Sequence, residues 1–124
     1  MSRLIDASAL LAILFEETGS DVAAAHRHRG AISAVNLCEA VQKSAHVGLP
    51  AGMVSMAIRR FEIEVVPFTE PEAMLAGEMR QRAGFSGISL ADRACLATAL
   101  VRDLPILTAD RAWSSLGLPI EIVQ

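Results

Sequence analysis

Short apolar segments alternate with helical patterns along this 124-residue chain, and the alternation constrains the fold more than any other feature. Runs that predict strands lie at Arg3–Asp6, Ala31–Ser33, Glu62–Val66, Ile106–Thr108 and Glu121–Val123. Helical patterns separate these runs, as they do in parallel sheets, where each crossover between neighbouring strands needs about a dozen residues or more. The sequence therefore predicts an α/β fold with a mostly parallel sheet.

The predicted helices begin at polar residues or proline and end at glycine or at a turn. They span residues 8–15, 21–29, 34–47, 50–60, 69–84 and 89–100, with a short helix near 111–116. Ser8 and Ser89 are predicted N-caps, and Pro50 is expected in the first turn of its helix. In the 34–47 helix, the periodicity predicts a buried stripe of Val35, Cys38, Val41 and Ala45.

The composition is that of a folded protein, with 52% hydrophobic and 20% charged residues. We expect one domain over residues 1–124, because no linker, repeat or low-complexity segment divides the chain. The apolar runs are too short to span a bilayer and no signal-peptide pattern is present, so we expect a cytoplasmic protein with no membrane partner. Cys38 and Cys95 lie in apolar helical patterns and are predicted to be buried thiols rather than a disulfide.

The chain carries a net charge of −3, which argues against a bulk electrostatic attraction for nucleic acid. Any contact with nucleic acid would depend on local basic groups or on metal ions. The mean hydropathy of +0.41 is high for a small domain and favours an apolar surface that meets a partner.

Four carboxylates are predicted to meet at one edge of the sheet. Asp6 ends the first strand, and Asp110 follows the fourth. Glu39 lies between one and two turns into the helix after the second strand, and Asp92 lies in the first turn of its helix. The carboxyl ends of parallel strands share an edge, which is where ligands bind in open α/β sheets. We therefore expect these four acids to line one cleft.

Carboxylates that converge in this way repel one another unless cations or protons offset the charge. Mg²⁺ and Mn²⁺ are the natural cations, since hard ions take oxygen ligands, retain waters and suit phosphoryl chemistry. The sequence has no cluster of cysteines or histidines that would predict a zinc site. His26 and His28 lie at the basic end of a predicted helix.

Each acid also has an ordinary structural interpretation when it is taken alone. Asp6 and Asp110 are each suited to cap the helix that follows, and Asp92 is suited to stabilise a helix dipole. Glu39 has Lys43 four residues further on, which is a common pair on a helix surface. The functional interpretation rests on all four acids occurring at the same predicted edge.

Four motifs resemble those of PIN-domain proteins, and in particular the VapC-type toxin ribonucleases of bacterial toxin–antitoxin pairs. They follow one another in the order of that family, as Leu4–Ala9, Ser33–Glu39, Ile88–Arg93 and Leu107–Trp113. The resemblance implies a three-layer α/β/α sandwich, a homodimer and a small antitoxin partner. It further implies Mg²⁺- or Mn²⁺-dependent cleavage of RNA, with Asp6, Glu39, Asp92 and Asp110 as catalytic and metal-binding residues. The fourth acidic position, occupied here by Asp110, varies within that family.

Several other residues have predicted supporting roles. Ser8 and Thr108 occupy polar motif positions and are candidates to hydrogen-bond the carboxylates. Candidate RNA contacts are Arg93, Arg111 and Lys43, with Arg80 and Arg82 as further cations, although a solvated surface role is the alternative for the arginines. Trp113 matches an aromatic position that packs inside, so an aromatic platform for base stacking is not expected and RNA would be recognised by shape.

The function predicted from the sequence is a metal-dependent endoribonuclease that acts as the toxin of a type II toxin–antitoxin system on structured RNA. One alternative is a non-catalytic α/β interaction module, and another is a PIN-like nuclease that acts on DNA. A receiver domain is disfavoured because Asp6 is followed by Ala7 and the late strand leads to no lysine. A dinucleotide-binding domain is disfavoured because the first turn lacks a glycine-rich motif.

Overall fold

A computed structural model describes residues 3–15 and 30–122 of the chain. It contains a sheet of five strands, β1 to β5 in chain order: Leu4–Ile5, Ala31–Ser33, Glu64–Val66, Ile106–Thr108 and Ile120–Ile122. Their spatial order is β3-β2-β1-β4-β5, and every neighbouring pair is parallel. The predicted parallel sheet is confirmed, and the carboxyl ends of all five strands lie along one edge.

Five α-helices and one short 3-10 helix accompany the sheet in the described part of the chain. The α-helices, α1 to α5 in chain order, are Ala7–Leu14, Ala34–His46, Ala51–Arg60, Glu70–Met79 and Leu90–Arg102, and the 3-10 helix is Arg111–Leu116. Among these described elements, no helix is both long enough and apolar enough to cross a membrane.

Side chains of the central strands alternate between two separate cores, because successive residues of a strand point to opposite faces of the sheet. One core contains Leu4, Ala31 and Ile106 together with residues of α4 and α5. The other core contains Ile5, Ile32 and Leu107 together with residues of α1, α2 and α3. The result is a three-layer α/β/α sandwich, which confirms the predicted architecture.

The ends of several helices differ from the prediction. Asp6, not Ser8, is the N-cap of α1, because the Asp6 carboxylate accepts a hydrogen bond from the backbone amide of Ala9. Pro50 is the N-cap of α3 and not a residue of its first turn. Helix α4 ends at Met79, and turns extend from there to Gly84, which has a φ of +84° in the left-handed region that glycine favours.

The buried face of α2 was predicted incorrectly. Its buried residues are Asn36, Ala40 and Ser44, whereas Cys38 and Ala45 are exposed. Helix α2 contacts α1, α3 and α5, and small side chains on the inner face allow neighbouring helices to approach closely. Cys95 is buried as predicted, and both cysteines are free thiols. The helix predicted for residues 21–29, with His26 and His28, lies outside the described residues.

Candidate active site

The strand order places a crevice at the carboxyl end of β1. From β1 the chain passes to β2 on one side, while β4 lies on the other side, so the order reverses between β1 and β4. Such a reversal leaves an opening between the connections that leave the two strands, and ligands bind there in open α/β sheets. Asp6 directly follows β1, and Asp110 lies two residues after the end of β4. Two of the four predicted acids therefore flank this crevice.

Asp6 is the most enclosed of the four acids, with only 3% of its surface exposed. Its Oδ1 atom accepts a hydrogen bond from the Ala9 amide at 2.8 Å, and its Oδ2 atom accepts one from the Thr108 hydroxyl at 2.5 Å. The Ser8 hydroxyl lies within hydrogen-bond distance of both carboxylate oxygens, at 2.8 and 2.9 Å. These are the hydrogen bonds predicted for Ser8 and Thr108, and they fix the Asp6 carboxylate in one orientation.

The same two hydroxyls connect α1 to the segment after β4. Ser8 Oγ lies 3.1 Å from Thr108 Oγ1 and accepts a hydrogen bond from the Ala109 amide at 3.0 Å. Thr108 Oγ1 also accepts a hydrogen bond from the Asp110 amide at 3.0 Å. Asp110 then leads into the 3-10 helix, with its carbonyl accepting from the Trp113 amide at 3.3 Å. This network holds the backbone of Asp110 beside the Asp6 carboxylate.

Glu39 and Asp92 come from two neighbouring helices. Glu39 lies on α2, where its Oε2 atom forms an ion pair with Lys43 Nζ at 3.4 Å. Asp92 lies in the first turn of α5, which begins at the N-cap Ser89, whose hydroxyl accepts a hydrogen bond from the Asp92 amide at 3.1 Å. Asn36 joins the two helices: its side-chain amide donates to Ala91 O at 3.0 Å and approaches Glu39 Oε1 at 3.5 Å.

The electrostatics connect all four acids. Burial raises the pKa of Asp92, and the negative charges of Glu39 and Asp110 raise it further. Burial is also the main cause that raises the pKa of Asp6 to about 6, opposed by its hydrogen bonds and assisted by the charge of Asp92. Such repulsion requires the acids to be near one another. The raised pKa of Asp92 thus reflects the charges of Glu39 and Asp110 as well as burial.

The donor set suits a hard divalent cation. It consists of carboxylate and hydroxyl oxygens, which hard ions prefer as ligands, and because burial raises the pKa values of Asp6 and Asp92, a nearby cation would favour their charged forms. Within residues 3–15 and 30–122, however, no group of three or more His, Cys, Asp or Glu side chains is placed to hold a metal ion. The four acids thus do not form a closed cage, and they fit an ion that is bound by few carboxylates and retains several waters.

The structure does not support Arg93 as an RNA contact. Only 8% of Arg93 is exposed, so the interpretation as a solvated surface arginine is also wrong. Its Nε atom donates to Ala76 O at 3.0 Å, and an Nη atom donates to Ile88 O at 2.6 Å. By contrast, Lys43 and Arg111 are exposed, and Trp113 is buried as predicted.

Sequence reasoning missed one residue of this site, Asn36, which is fully buried at the contact between Glu39 and the start of α5. The available signal was its position three residues before Glu39, which places both side chains on the same side of a helix. The predicted stripe of α2 had assigned that side to solvent.

The fold and its acidic crevice define the class of the protein: a parallel α/β/α sandwich with carboxylates at the point where the strand order reverses. The family model for the PIN domain matches residues 3–118, and the chain belongs to this family. PIN domains are nucleases, which supports the prediction of an enzyme. No curated protein sequence matches the chain at a significant level.

Solved structures with the same fold include several toxin–antitoxin proteins. A sarcin–ricin loop cleaving toxin, VapC20 from Mycobacterium tuberculosis, is 18% identical with a TM-score of 0.78, over 99% of this chain and 100% of that one. A toxin–antitoxin complex from Klebsiella pneumoniae is 20% identical with a TM-score of 0.75, over 97% and 96% of the two chains. VapBC2 from Rickettsia felis, bound to a promoter DNA fragment, is 16% identical with a TM-score of 0.74 over the whole of both chains.

Proposed function

We propose that this protein is a metal-dependent endoribonuclease that acts as the toxin of a type II toxin–antitoxin system. One observation carries the proposal: the Asp6 carboxylate is buried at the crevice between β1 and β4, held by three hydrogen-bond donors, and electrostatically coupled to Asp92. Keeping a charged carboxylate in such a place destabilises the fold unless a cation or a proton joins it. A divalent cation needed for catalysis accounts for that arrangement.

The proposed reaction is hydrolysis of a phosphodiester. The oxygen of a water molecule attacks phosphorus, and the bond from phosphorus to the 3′ oxygen breaks, which leaves a 5′-phosphate and a 3′-hydroxyl. Asp6 and Asp92 would hold the cation, with Glu39 and Asp110 as further ligands or as carboxylates that orient the attacking water and accept its proton. When bound, Mg²⁺ or Mn²⁺ supplies positive charge that stabilises the phosphoryl oxygens. Ser8 and Thr108 keep the Asp6 oxygens oriented.

Folded RNA is the substrate that the chain fits best. With a net charge of −3, the protein has little long-range attraction for a phosphate backbone, so binding would depend on the metal site and on local cations such as Lys43 and Arg111. Trp113 is buried and the chain has no tyrosine, which leaves recognition by shape rather than by stacking on an aromatic platform. The similarly folded VapC20 is described as a toxin that cleaves the sarcin–ricin loop, which agrees with this choice.

The proposal includes a cognate antitoxin, a homodimer and a cytoplasmic location. An apolar groove of about 390 Å³ lies between the end of α1 and α3 and is suited to a segment of the antitoxin. Its lining includes Ile13, Leu14, Met53, Met56 and Phe61. The antitoxin is expected to bring an arginine to the acidic crevice, because a guanidinium pairs with carboxylates through two hydrogen bonds.

Incubation with a panel of nucleic acids and Mn²⁺ tests the proposed activity. The panel contains a folded ribosomal or transfer RNA, a homopolymer and single-stranded DNA, and cleavage is expected at one or a few sites of the folded RNA. Asp6→Asn should lower the cleavage rate by roughly 10²-fold or more, since a metal site contributes several kcal/mol to catalysis. Asp103→Asn is the matched control, because Asp103 is exposed at the opposite end of α5, before β4.

Each possible result distinguishes the proposed activity from one alternative. Equal cleavage by Asp6→Asn would show a contaminating nuclease and contradict the proposal. Equal cleavage of DNA would favour the DNA nuclease. A specific ligand stabilises the folded state that it binds. If adding Mn²⁺ produces no binding heat and no increase in thermal stability, the non-catalytic interaction module is favoured.

A further inference from the structure

Asn36 is a fully buried polar residue that connects two of the helices carrying the acids. On α2, its Nδ2 atom donates a hydrogen bond to the carbonyl of Ala91, at 3.0 Å, and Ala91 is the residue before Asp92 on α5. The same nitrogen approaches Glu39 Oε1 at 3.5 Å. A single side-chain amide therefore contacts one acid directly and the backbone next to another.

The orientation of this amide is fixed by its neighbours. The nitrogen of an asparagine amide has two hydrogens, and Asn36 directs them toward two acceptors, a carbonyl and a carboxylate. If the amide were turned around, Asn36 Oδ1 would face both of these acceptors and lose the two contacts. The observed orientation leaves Oδ1 buried without a hydrogen-bond partner.

Packing alone does not explain a buried asparagine at this position. The next residue on the same face of α2 is Ala40, and an apolar residue in place of Asn36 would avoid the unfavourable burial of an unpartnered oxygen. A buried polar group that is incompletely satisfied calls for a specific explanation. Here the explanation lies in the two groups that accept from Nδ2.

We propose that Asn36 is a positioning residue that sets the separation of Glu39 and Asp92 and thereby the affinity of the site for a divalent cation; the inference rests on the proposed function. Glu39 is held from two sides, by Asn36 at Oε1 and by Lys43 at Oε2. The Lys43 side chain is 53% exposed and is free to change its rotamer, whereas Asn36 is enclosed. Asn36 thus makes the more rigid of the two contacts that hold the Glu39 carboxylate.

The test compares Asn36→Leu with Ser44→Ala. Ser44 is the matched control, because it is buried on the same face of α2 with an unpartnered hydroxyl, about two turns along the helix from Asn36. Calorimetry with Mn²⁺ should show an affinity roughly 10-fold lower for Asn36→Leu, as for other residues that orient metal ligands, and no change for Ser44→Ala. Both variants should retain cooperative thermal unfolding in chelator, whereas general damage to the fold would remove the cooperative transition.

Combination with Glu39→Gln shows whether Asn36 acts through the acid. In the Glu39→Gln background, Asn36→Leu should reduce Mn²⁺ affinity by clearly less than it does alone, because the two residues belong to one unit. Equal reductions in the two backgrounds would overturn the proposal, and so would an Asn36→Leu protein with the affinity of the wild type.

If Asn36→Leu does not fold, Asn36→Thr is the second variant, because it retains a hydrogen-bond donor and should give an intermediate Mn²⁺ affinity. A wild-type Mn²⁺ affinity for Asn36→Thr would overturn the inference. A wild-type protein that binds no Mn²⁺ would refute the proposed function itself.

Discussion

The ionisation of Asp6 links the acidic crevice to the stability of the protein. Its pKa is raised from 3.8 to about 6, chiefly because burial penalises the charged form. The folded state therefore binds the proton more tightly than the unfolded state does. This stabilising contribution is complete below about pH 3.8 and is lost as the pH rises through about 6, a loss of about 3 kcal/mol.

We therefore expect Asp6→Asn to change the pH dependence of stability in the absence of metal. Between pH 4 and 7, the free energy of unfolding of the wild type should fall relative to that of Asp6→Asn by about 3 kcal/mol, since the asparagine does not ionise. Denaturant unfolding of both proteins in chelator measures the difference. Parallel curves for the two proteins would show that Asp6 ionises normally. Added Mn²⁺ at pH 7 should stabilise the wild type more than the variant.

At the residue scale, the sequence predicted the places of the four acids along the strands and helices, but it did not predict which neighbouring polar residues are buried. Asp6 was identified because it occurs at a strand end, where the fold class itself places functional groups, and Ser8 and Thr108 were identified because they occupy polar positions of the motifs. The burial of Arg93 and Asn36 could not be predicted in this way, since polar residues are usually exposed and each is buried only through partners distant in sequence. Such partners become visible only when the helices are packed together.

At the scale of elements, Arg93 joins three segments. From α5 its guanidinium donates to Ala76 O on α4 and to Ile88 O in the turn before Ser89, the N-cap of α5. It thereby holds the first turn of α5, which carries Asp92, against the neighbouring helix. The role of Arg93 is consequently structural, and its effect on the site is transmitted through the position of that turn.

Replacement of Arg93 by methionine is expected to destabilise the fold. Arg93→Met retains an unbranched side chain but removes the charged hydrogen bonds to Ala76 O and Ile88 O, at a cost of about 3 kcal/mol. Arg82→Met is the control, because Arg82 is exposed and its substitution should change the free energy of unfolding by less than about 0.5 kcal/mol. Denaturant unfolding gives both values. A stable Arg93→Met protein that binds RNA weakly would instead restore Arg93 as an RNA contact.

The helix boundaries show where periodicity fails as a predictor. Helix α5 begins at its predicted cap, since Ser89 offers an oxygen to the free amide of Asp92. For α2, the apolar side chains indicated one face, but the face with small residues is buried, because α2 packs against helices on several sides. A hydrophobic pattern identifies a single packed face, and it is less informative for an element with several neighbours.

At the scale of the whole molecule, the alternation of strands and helices predicted the parallel sheet but not the order of its strands. That order depends on which strands pair, and the central place of β1 follows from Leu4 pairing with both Ala31 and Ile106. The reversal beside β1 is what brings Asp6 and Asp110 together. The motif resemblance implied a parallel-sheet sandwich with both residues in one site, but it did not give the strand order.

The described surface carries exposed apolar side chains that a homodimer would cover. Six large apolar side chains of the described residues are at least 45% exposed: Val47, Met53, Met56, Met74, Leu90 and Val101. Together with a mean hydropathy of +0.41, this exposure agrees with the homodimer predicted from the motif resemblance. We expect the 13.2 kDa chain to sediment at micromolar concentration as a dimer, with twice that mass.

Salt tests the kind of interaction that would stabilise the predicted dimer. An interface formed by burial of apolar side chains should persist in molar sodium chloride, because salt screens interactions between charges and does not weaken apolar burial. Sedimentation velocity in low and in molar salt should therefore give the same dimer. Dissociation of the dimer by salt would indicate an interface of charged groups. A monomer in both buffers would contradict the predicted homodimer, and the antitoxin would then be the remaining candidate to cover the exposed apolar side chains.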